Sequence, residues 1–340
     1  MNRRDTLRAL LALAAGTSAD VRAADGGAPR RLVSLSSNSA ESVLKNPAVA
    51  ALWARMDERL KSLGWQVGRN LRLDRYFSEG ISERLPLLLA EAMREPIDVI
   101  LAIQTSAAVA AARATHSIPI VLVGASAYPV ECGLIQSFAR PGGNVTGISF
   151  FQGIVVQSKL AQFVREILPD ARRLAWIACP GDLVKVGGGE FRPEPYYARV
   201  AHDLGFELGY YECRTPEDFD AAFAALARWG ARAVIVEPAA LSFVHANRIA
   251  GLAMGAKLPS LFSLGFNAQA GGLMSYGPSY VEVYDQAVVY TDRLLHGARA
   301  AELPVEMPKK LELILNRKTA RMLGLSIPQS ILVGADTVLE

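Results

Sequence analysis

Residues that build metal centres and disulfide frameworks are scarce in this sequence. Its 340 residues include three cysteines and four histidines, and the histidines at 116, 202, 245 and 296 have no paired spacing. We therefore expect neither a metal site nor a disulfide-dense scaffold. Charge is nearly balanced, with 36 basic and 33 acidic residues and a net charge of +3. This balance argues against a nucleic-acid-binding surface.

The sequence also lacks the common motifs of nucleotide-binding and metal-dependent enzymes. It has no G-x-x-x-x-G-K-[ST], no G-x-G-x-x-G after the first strand, no H-E-x-x-H and no C-x-x-C. The run Gly187-Gly188-Gly189 is interpreted as a flexible loop. The segment Gly124-Ala125-Ser126-Ala127-Tyr128 approaches a nucleophile elbow but lacks its closing glycine. We expect no catalytic residues and no cofactor, and a serine hydrolase using Ser126 is the disfavoured alternative.

The first 23 residues have the form of a secretory signal peptide. A basic start with Arg3, Arg4 and Arg8 precedes a short apolar stretch, and Val21-Arg22-Ala23 offers a cleavage site. The adjacent arginines fit either the twin-arginine route or ordinary Sec export. No later segment has about 18 uninterrupted apolar residues. The sequence predicts an exported, soluble protein cleaved near Ala23.

Export to an oxidising compartment raises the question of a disulfide bond. Cys179 and Cys213 each follow a predicted strand, and those strands could be neighbours. A bond between them is one interpretation. The other is that both are small buried side chains, together with Cys132.

From residue 30 onward, strand and helix patterns alternate twice. The length suggests two domains or one large one, and 51% hydrophobic residues suffice for buried cores. Apolar strand runs separated by helices predict an α/β fold with parallel sheets covered on both faces. The predicted strands are 31–35, 71–76, 98–103, 120–123, 174–178, 206–211, 233–236, 260–264 and 273–276, with extended pieces at 312–315 and 331–333. Thr215 is the predicted N-cap of a helix over 216–229, and a long helix is predicted over 280–295. We expect two Rossmann-like lobes.

Candidate binding residues lie at the predicted strand ends, where ligands of open α/β sheets bind. Hydroxyl and amide groups there suit a carboxylate at a helix N-terminus, although simple N-capping explains Thr105 or Ser106 equally well. A carboxylate such as Glu237 could pair with an ammonium, and aromatic side chains could line the pocket. The predicted ligand-binding residues are Ser36, Ser37, Asn38, Gln104, Thr105, Ser106, Ser126, Tyr128, Ser149, Phe151, Glu237 and Phe266.

Three stretches of the sequence are distinctive. Residues 139–149 read ARPGGNVTGIS, residues 271–278 read GGLMSYGP, and the tail contains LPVE, LILNRKTA and LGLSIP between 303 and 328. Over about 30–340 the sequence resembles the bacterial ABC transporter substrate-binding proteins, including tryptophan- and tyrosine-type binding proteins. The resemblance implies a type I periplasmic-binding-protein fold with two lobes, three crossings and no catalysis.

The resemblance also implies a division of the chain. We expect 24–148 with 270–303 in the N-terminal lobe, and 149–269 with 304–340 in the C-terminal lobe. The stretch 141–149 should lead into the first crossing, 271–278 should follow the second, and 305–313 should hold the third. The implied protein is a periplasmic monomer that binds a small molecule, contacts an ABC permease in the inner membrane and does not bind nucleic acid.

Two departures from the family pattern bear on the ligand. The family pattern resembles Thr-Gly-Gly after the third strand, where this sequence has Gln104-Thr105-Ser106. The fourth strand of the family usually ends in Asp-Pro-Val, where this sequence has Tyr128-Pro129-Val130. By analogy with amino-acid-binding relatives, Thr105, Ser106 and Ser126 would seat a carboxylate and Glu237 an ammonium. We expect a small amino-acid-like ligand whose ring is flanked by Tyr128, Phe150, Phe151 and Phe266, captured by hinged closure. A sensory module that contacts a membrane receptor is the alternative.

Overall fold

A computed structural model describes residues 28–45, 47–125, 129–150, 154–180, 185–190 and 192–340. It confirms an α/β architecture built on two sheets. The proposed signal peptide, residues 1–23, lies outside the described residues. None of the helices in the described part of the chain is long and apolar enough to span a bilayer.

The first sheet has six parallel strands in the order β11-β5-β4-β3-β1-β2. Its strands are β1 (Arg30–Ser36), β2 (Leu71–Phe77), β3 (Val99–Ile103), β4 (Ile120–Ala125), β5 (Val145–Ser149) and β11 (Val305–Glu306). All five residues of β3 are buried. An unbroken apolar run is what a central parallel strand requires, because helices cover both of its faces.

The second sheet has seven strands in the order β13-β12-β10-β9-β8-β6-β7. They are β6 (Arg173–Ala178), β7 (Glu207–Glu212), β8 (Ala233–Val236), β9 (Ser260–Phe262), β10 (Met274–Pro278), β12 (Leu311–Asn316) and β13 (Thr337–Leu339). Among these described strands, only β10 and β12 pair antiparallel. Each sheet with its covering helices is called a lobe below.

Thirteen α-helices are assigned within the described residues. They are α1 (Ala40–Lys45), α2 (Pro47–Ser62), α3 (Leu85–Ala92), α4 (Thr105–Ala114), α5 (Ile154–Ile167), α6 (Glu194–Asp203), α7 (Asp218–Trp229), α8 (Ala240–Val244), α9 (Ala246–Gly255), α10 (Gly265–Gln269), α11 (Tyr280–Leu295), α12 (Arg317–Met322) and α13 (Gln329–Gly334). Two apolar cores flank each sheet, and α11 packs into a core of the first lobe.

The chain passes between the lobes after β5, between β10 and α11, and between β11 and β12. Strand pairing moves two of the expected boundaries. Residues 270–303 were expected in the first lobe, but β10 lies in the second sheet, parallel to β9 and antiparallel to β12. Conversely, β11 lies in the first sheet beside β5. The stretch 271–278 therefore precedes the second crossing rather than following it.

Three local predictions were wrong. The apolar piece 331–333 is part of helix α13, and the following strand is β13. Thr215 is not an N-cap, because α7 begins at Asp218, whose carboxylate accepts the N–H groups of Arg214 and Thr215 at 2.8 Å each. Strand β5 was not predicted, although it pairs along its whole length with β4.

The distinctive sequence stretches hold the fold together. The Asn144 amide donates to the Thr115 and Ile118 carbonyls at 3.0 and 2.8 Å. The Thr146 hydroxyl donates to the Leu303 carbonyl at 2.7 Å. The motif residues of 139–149 thus tie β5 to the chain around it.

The tail motif makes a similar connection in the second lobe. The Asn316 amide donates to the Ala268 carbonyl at 3.0 Å, and its Oδ1 accepts the Thr319 N–H at 2.9 Å. The Thr319 hydroxyl donates to the Gly271 carbonyl at 2.9 Å. The second and third sequence stretches therefore contact each other.

The three cysteines are buried thiols, so the structure does not contain the considered Cys179–Cys213 disulfide. Burial raises the pKa of Cys132 to about 11, with the nearby Glu131 carboxylate adding to the effect. Burial likewise raises the pKa of Cys213 to about 12. Thiols held in this way are inert small hydrophobic side chains.

Candidate ligand-binding site

A small enclosed cavity lies where the two lobes meet, beyond the carboxyl ends of β1, β3 and β4. Its volume is about 20 Å³. The first lobe contributes polar or small residues (Asn38, Gln104, Gly124) and apolar ones (Val49, Leu52, Ile103, Val123, Phe150). The second lobe contributes Phe243 and Phe266, and the start of α11 contributes Tyr280 and Tyr284. A cavity at this position is where open α/β sheets bind ligands.

The aromatic side chains form one continuous cluster across the lobe boundary. The Tyr280 ring lies 4.7 Å from Phe150 and 4.8 Å from Phe266, centroid to centroid. Phe266 in turn meets Phe243 edge-on at 5.4 Å. Both Phe243 and Phe266 pack against the core of the first lobe. Tyr280 therefore lies between a ring from each lobe.

A backbone irregularity in β4 makes room for one of these rings. The pairing of β4 with β5 shifts register between Val123 and Ala125, and Gly124 between them has φ of +62°. A Cβ atom on Gly124 would lie 2.5 Å from Phe150 Cε2. Such a bulge at a strand end redirects the neighbouring chain. Glycine is required here for both the left-handed backbone and the close ring contact.

Gln104, which directly precedes α4, has an unusual backbone. Its φ of 74° and ψ of 166° lie in a region that residues with a side chain rarely adopt. Its N–H donates to the Val123 carbonyl at 3.0 Å, and its carbonyl accepts the Ala108 N–H at 3.2 Å. Strained positions of this kind cluster at binding sites. Here the strain places an amide side chain at the cavity.

Two side-chain oxygens at the cavity have no hydrogen-bond donor among the described residues. They are Oδ1 of Asn38, a residue 3% exposed, and Oε1 of Gln104. Buried polar atoms in folded proteins nearly always have a partner. No Lys, Arg, Asp or Glu side chain is among the described residues that line the cavity. Burial raises the pKa of both Tyr280 and Tyr284, so their phenols stay neutral.

Several predicted binding residues lie beside the cavity but bond to the first lobe itself. The hydroxyls of Ser37 and Ser106 are 2.5 Å apart and join the end of β1 to the start of α4. The Ser36 hydroxyl accepts the Asn38 N–H at 3.1 Å. Thr105 is 1% exposed, and Ser149 is fully buried opposite Ala125. These groups shape the strand ends and do not line the cavity.

Glu237 follows β8 in the second lobe and does not line the cavity. It is 6% exposed, and its Oε1 accepts the Tyr197 hydroxyl at 2.6 Å. The Tyr197 ring stacks on Trp176 at 4.7 Å with an interplanar angle of 4°. Burial, together with the Glu237 charge, raises the pKa of Tyr210. Glu237 thus belongs to a buried aromatic and carboxylate cluster of the second lobe.

Of the predicted binding residues, the structure brings Asn38, Gln104 and Phe266 to the cavity, where Phe150 joins them. Ser126, Tyr128 and Phe151 lie outside the described residues. Among the described residues, no group of three or more His, Cys, Asp or Glu side chains could hold a metal ion.

Sequence reasoning missed Phe243, Tyr280 and Tyr284. The two tyrosines are four residues apart at the start of a predicted helix, directly after the GGLMSYGP stretch. That spacing places them on one helix face, and their position after a lobe crossing could have identified them. No local signal identifies Phe243, which reaches the cavity from α8.

Two α/β lobes that meet at the carboxyl ends of their strands define a type I periplasmic-binding-protein fold. The sequence profile of the family described as ABC transporter substrate binding protein matches residues 40–339. This chain therefore belongs to that family.

Individual proteins of known name or structure are similar to this chain. The chain is 24% identical over 267 residues to a tyrosine-binding protein of Clostridioides difficile (strain R20291), covering 78% of this chain and 74% of that protein. A conserved domain protein from Vibrio cholerae superposes with a TM-score of 0.81 at 23% identity, covering 92% of this chain and 100% of the other. An ABC domain from Streptococcus pneumonia in complex with L-Trp gives a TM-score of 0.80 at 19% identity, with the same coverage.

Proposed function

We propose that this protein captures a small amino-acid-like ligand with an aromatic ring between its lobes and delivers it to an ABC permease. The aromatic cavity at the lobe junction carries the proposal, because rings from both lobes and from α11 converge there. Aromatic side chains favour a flat ligand ring through offset or edge-on contacts. The tyrosine-binding relative and the L-Trp complex support the same ligand class.

Binding such a ligand requires the lobes to open for its entry, and the rings that line the cavity must move apart in the closed form that holds it. A cavity of about 20 Å³ holds one water molecule, whereas pockets for small ligands measure about 300–1,000 Å³. The present arrangement is therefore a closed one. We infer that the ligand enters an open form and that its contacts with both lobes favour closure. Three chain crossings serve as the hinge.

A segment of the second lobe reaches across to the first and stabilises the closed form. The Val186 N–H donates to the Cys132 carbonyl at 2.8 Å, and Arg113 Nε donates to the Val186 carbonyl at 3.1 Å. The Arg113 guanidinium also bonds to the Lys185 carbonyl. The Val186 side chain packs against a core of the first lobe. These contacts must break when the lobes separate.

Three glycines, 187–189, follow the cross-lobe residues Lys185 and Val186. Gly188 and Gly189 have φ of +88° and +82°, and no atom lies within 4 Å of where their Cβ atoms would be. Left-handed backbone at consecutive positions is accessible to glycine at little cost. The glycine run noted in the sequence therefore lets the chain turn back to α6 after it has contacted the first lobe.

The ligand and the closure are tested together on the purified exported protein. L-Tryptophan and L-tyrosine should each raise thermal stability, by about 2.7 kcal/mol at 100 times Kd, and should reduce the radius of gyration in small-angle scattering. Tyr280→Leu should abolish both effects because it removes the ring between the lobes. Phe163→Leu is the matched control, since Phe163 packs on Tyr276 inside the second lobe. Stabilisation without compaction would contradict closure.

The cross-lobe segment has its own test. Arg113→Ala removes its two hydrogen bonds to the segment, each worth about 0.5–1.5 kcal/mol net. Ligand affinity should fall by up to about five- to 150-fold by calorimetry because the closed form is less favoured. Arg94→Ala, at another exposed arginine of the first lobe, should leave affinity unchanged. Equal affinities in both variants would remove the segment from the mechanism.

Export and partnership complete the proposal. Substrate-binding proteins of ABC transporters are typically extracytoplasmic, and residues 1–23 fit a cleaved signal. N-terminal sequencing of the secreted protein should begin at Ala24. We propose a monomer that docks on a permease in its closed form. Ligand-dependent retention on permease-containing membranes should therefore be lost in the Tyr280→Leu variant.

A further inference from the structure

Two oxygens at the cavity lack a hydrogen-bond donor, and they indicate which end of a ligand binds to the first lobe. Asn38 Oδ1 and Gln104 Oε1 are both acceptors, and both are shielded from solvent. An acceptor buried in this way is destabilising unless a donor reaches it. A carboxylate offers no donor, whereas an ammonium group offers three N–H bonds.

The rings around these oxygens favour the same charge. The faces of aromatic rings carry negative potential and attract cations. Phe150, Tyr280 and Tyr284 line the cavity together with the two amide oxygens. The described lining residues carry no cationic side chain that could pair with a carboxylate. Among the described lining residues, only neutral amide N–H and phenol O–H groups could donate to an anion, and the two amide oxygens and the ring faces would repel it.

One feature of the first lobe favours an anion. Helix α4 begins at Thr105, beside Gln104, and a helix N-terminus attracts negative charge. That attraction is weak compared with hydrogen bonds between a cation and amide oxygens. The hydroxyl of Ser106 in the first turn is also already bonded to Ser37. The two acceptors and the rings together outweigh the helix terminus.

We propose that the first lobe binds the cationic nitrogen of the ligand through Asn38 Oδ1 and Gln104 Oε1. This inference rests on the proposed function and reverses the expected orientation, in which the first lobe seats a carboxylate and Glu237 an ammonium. It also extends the ligand class. Aromatic amines that have no carboxylate, such as tyramine and tryptamine, bind the same site.

The orientation is tested by calorimetry on the exported protein at neutral pH, with compounds that share one aromatic group and differ in whether they carry an amine, a carboxylate or both. The series is L-tyrosine, tyramine and 3-(4-hydroxyphenyl)propionate, with L-tryptophan, tryptamine and indole-3-propionate as its indole counterpart. Tyramine or tryptamine should bind within about tenfold of its amino acid. The acids without an amine should bind at least about 100-fold more weakly, because they leave both oxygens without donors.

A charge substitution gives the sign of the interaction. Asn38→Asp keeps the shape of the side chain and adds a negative charge, so tyramine affinity should rise about tenfold. Gln104→Glu is the second variant and should act in the same direction if Asn38→Asp fails to fold by circular dichroism. Asn247→Asp, at an exposed position on α9, is the matched control and should change nothing.

Each outcome separates the inference from the function on which it rests. Binding of the amino acids and the acids, but not of the amines, would overturn the inference and leave aromatic ligand capture intact. Weaker tyramine binding in both charge variants would also overturn it. If none of the six compounds binds, the aromatic ligand class itself is wrong, and the inference fails with it.

Discussion

The Phe150 ring packs closely on Gly124, so we predict that a side chain at this position of β4 would disturb ligand binding. Gly124→Ala adds a Cβ atom at a position with φ of +62°, 2.5 Å from Phe150 Cε2 and 2.7 Å from its Cζ. Carbon atoms that are not bonded to each other do not approach this closely. The Phe150 ring must therefore shift, and the neighbouring Tyr280 ring, 4.7 Å away, limits where it can move.

The size of the effect follows from two contributions. A left-handed alanine costs about 1 kcal/mol relative to glycine. Forcing a ring out of a packed position costs about 1–3 kcal/mol more. Gly124→Ala should therefore lower the free energy of unfolding by about 2–4 kcal/mol. Gly64→Ala isolates the first contribution, because Gly64 has φ of +94° and no atom within 4 Å of its Cβ position.

Urea unfolding followed by fluorescence measures both variants, and calorimetry measures their ligand affinity. Gly64→Ala should lose about 1 kcal/mol of stability and keep wild-type affinity. Gly124→Ala should lose more stability and also bind the ligand more weakly, because the displaced ring occupies the cavity. Equal losses in the two variants would show that the ring contact has no energetic consequence, and the reasoning about the site would be refuted.

Four further results are expected. Gln104→Gly should relieve backbone strain and raise stability by about 1 kcal/mol in urea unfolding, while ligand affinity falls; lower stability would contradict the strain at φ of 74°. Thr146→Val keeps the shape of a fully buried side chain but leaves the Leu303 carbonyl without its 2.7 Å donor, so it should cost about 1–3 kcal/mol; a neutral result would contradict this. Burial, aided by the Arg248 charge, lowers the pKa of His245 below 6.5. The unfolded chain then binds more protons, so stability is lost as pH falls through 6.5 towards the folded-state pKa. His245→Gln should show a smaller loss between about pH 7 and pH 5, and an identical pH profile would exclude His245 as a source. Finally, the three cysteines should resist a thiol reagent in the native protein and react completely, without reductant, after unfolding in denaturant; fewer than three reactive thiols would indicate a disulfide.

Two properties of the fold could not be predicted from the sequence: the secondary structure of short apolar runs, and which strands pair with each other. The run 331–333 is Ile-Leu-Val and fits a strand, but such a short run fits a buried helix equally well. Assigning β10 to the first lobe failed for a different reason. Its partners β9 and β12 are set by hydrogen bonds between segments that are not adjacent in sequence.

The polar part of the site was more predictable than its aromatic part. Asn38 and Gln104 follow β1 and β3, and the ends of parallel strands share one edge of a sheet. Their position therefore follows from the strand pattern. Phe243 comes from near the end of one helix and Tyr280 from the start of another, in different parts of the chain. Only the way the lobes meet brings those rings together.

The sequence by itself determined the class of fold, the buried parallel strands and the family. These depend on local periodicity and on contiguous stretches such as 139–149. The tertiary structure decided which strands each sheet contains, which polar groups already have partners and which face the cavity. Those properties depend on contacts between residues far apart in sequence: Ser37 reaches a partner 69 residues away and so does not line the cavity, whereas Asn38 next to it does.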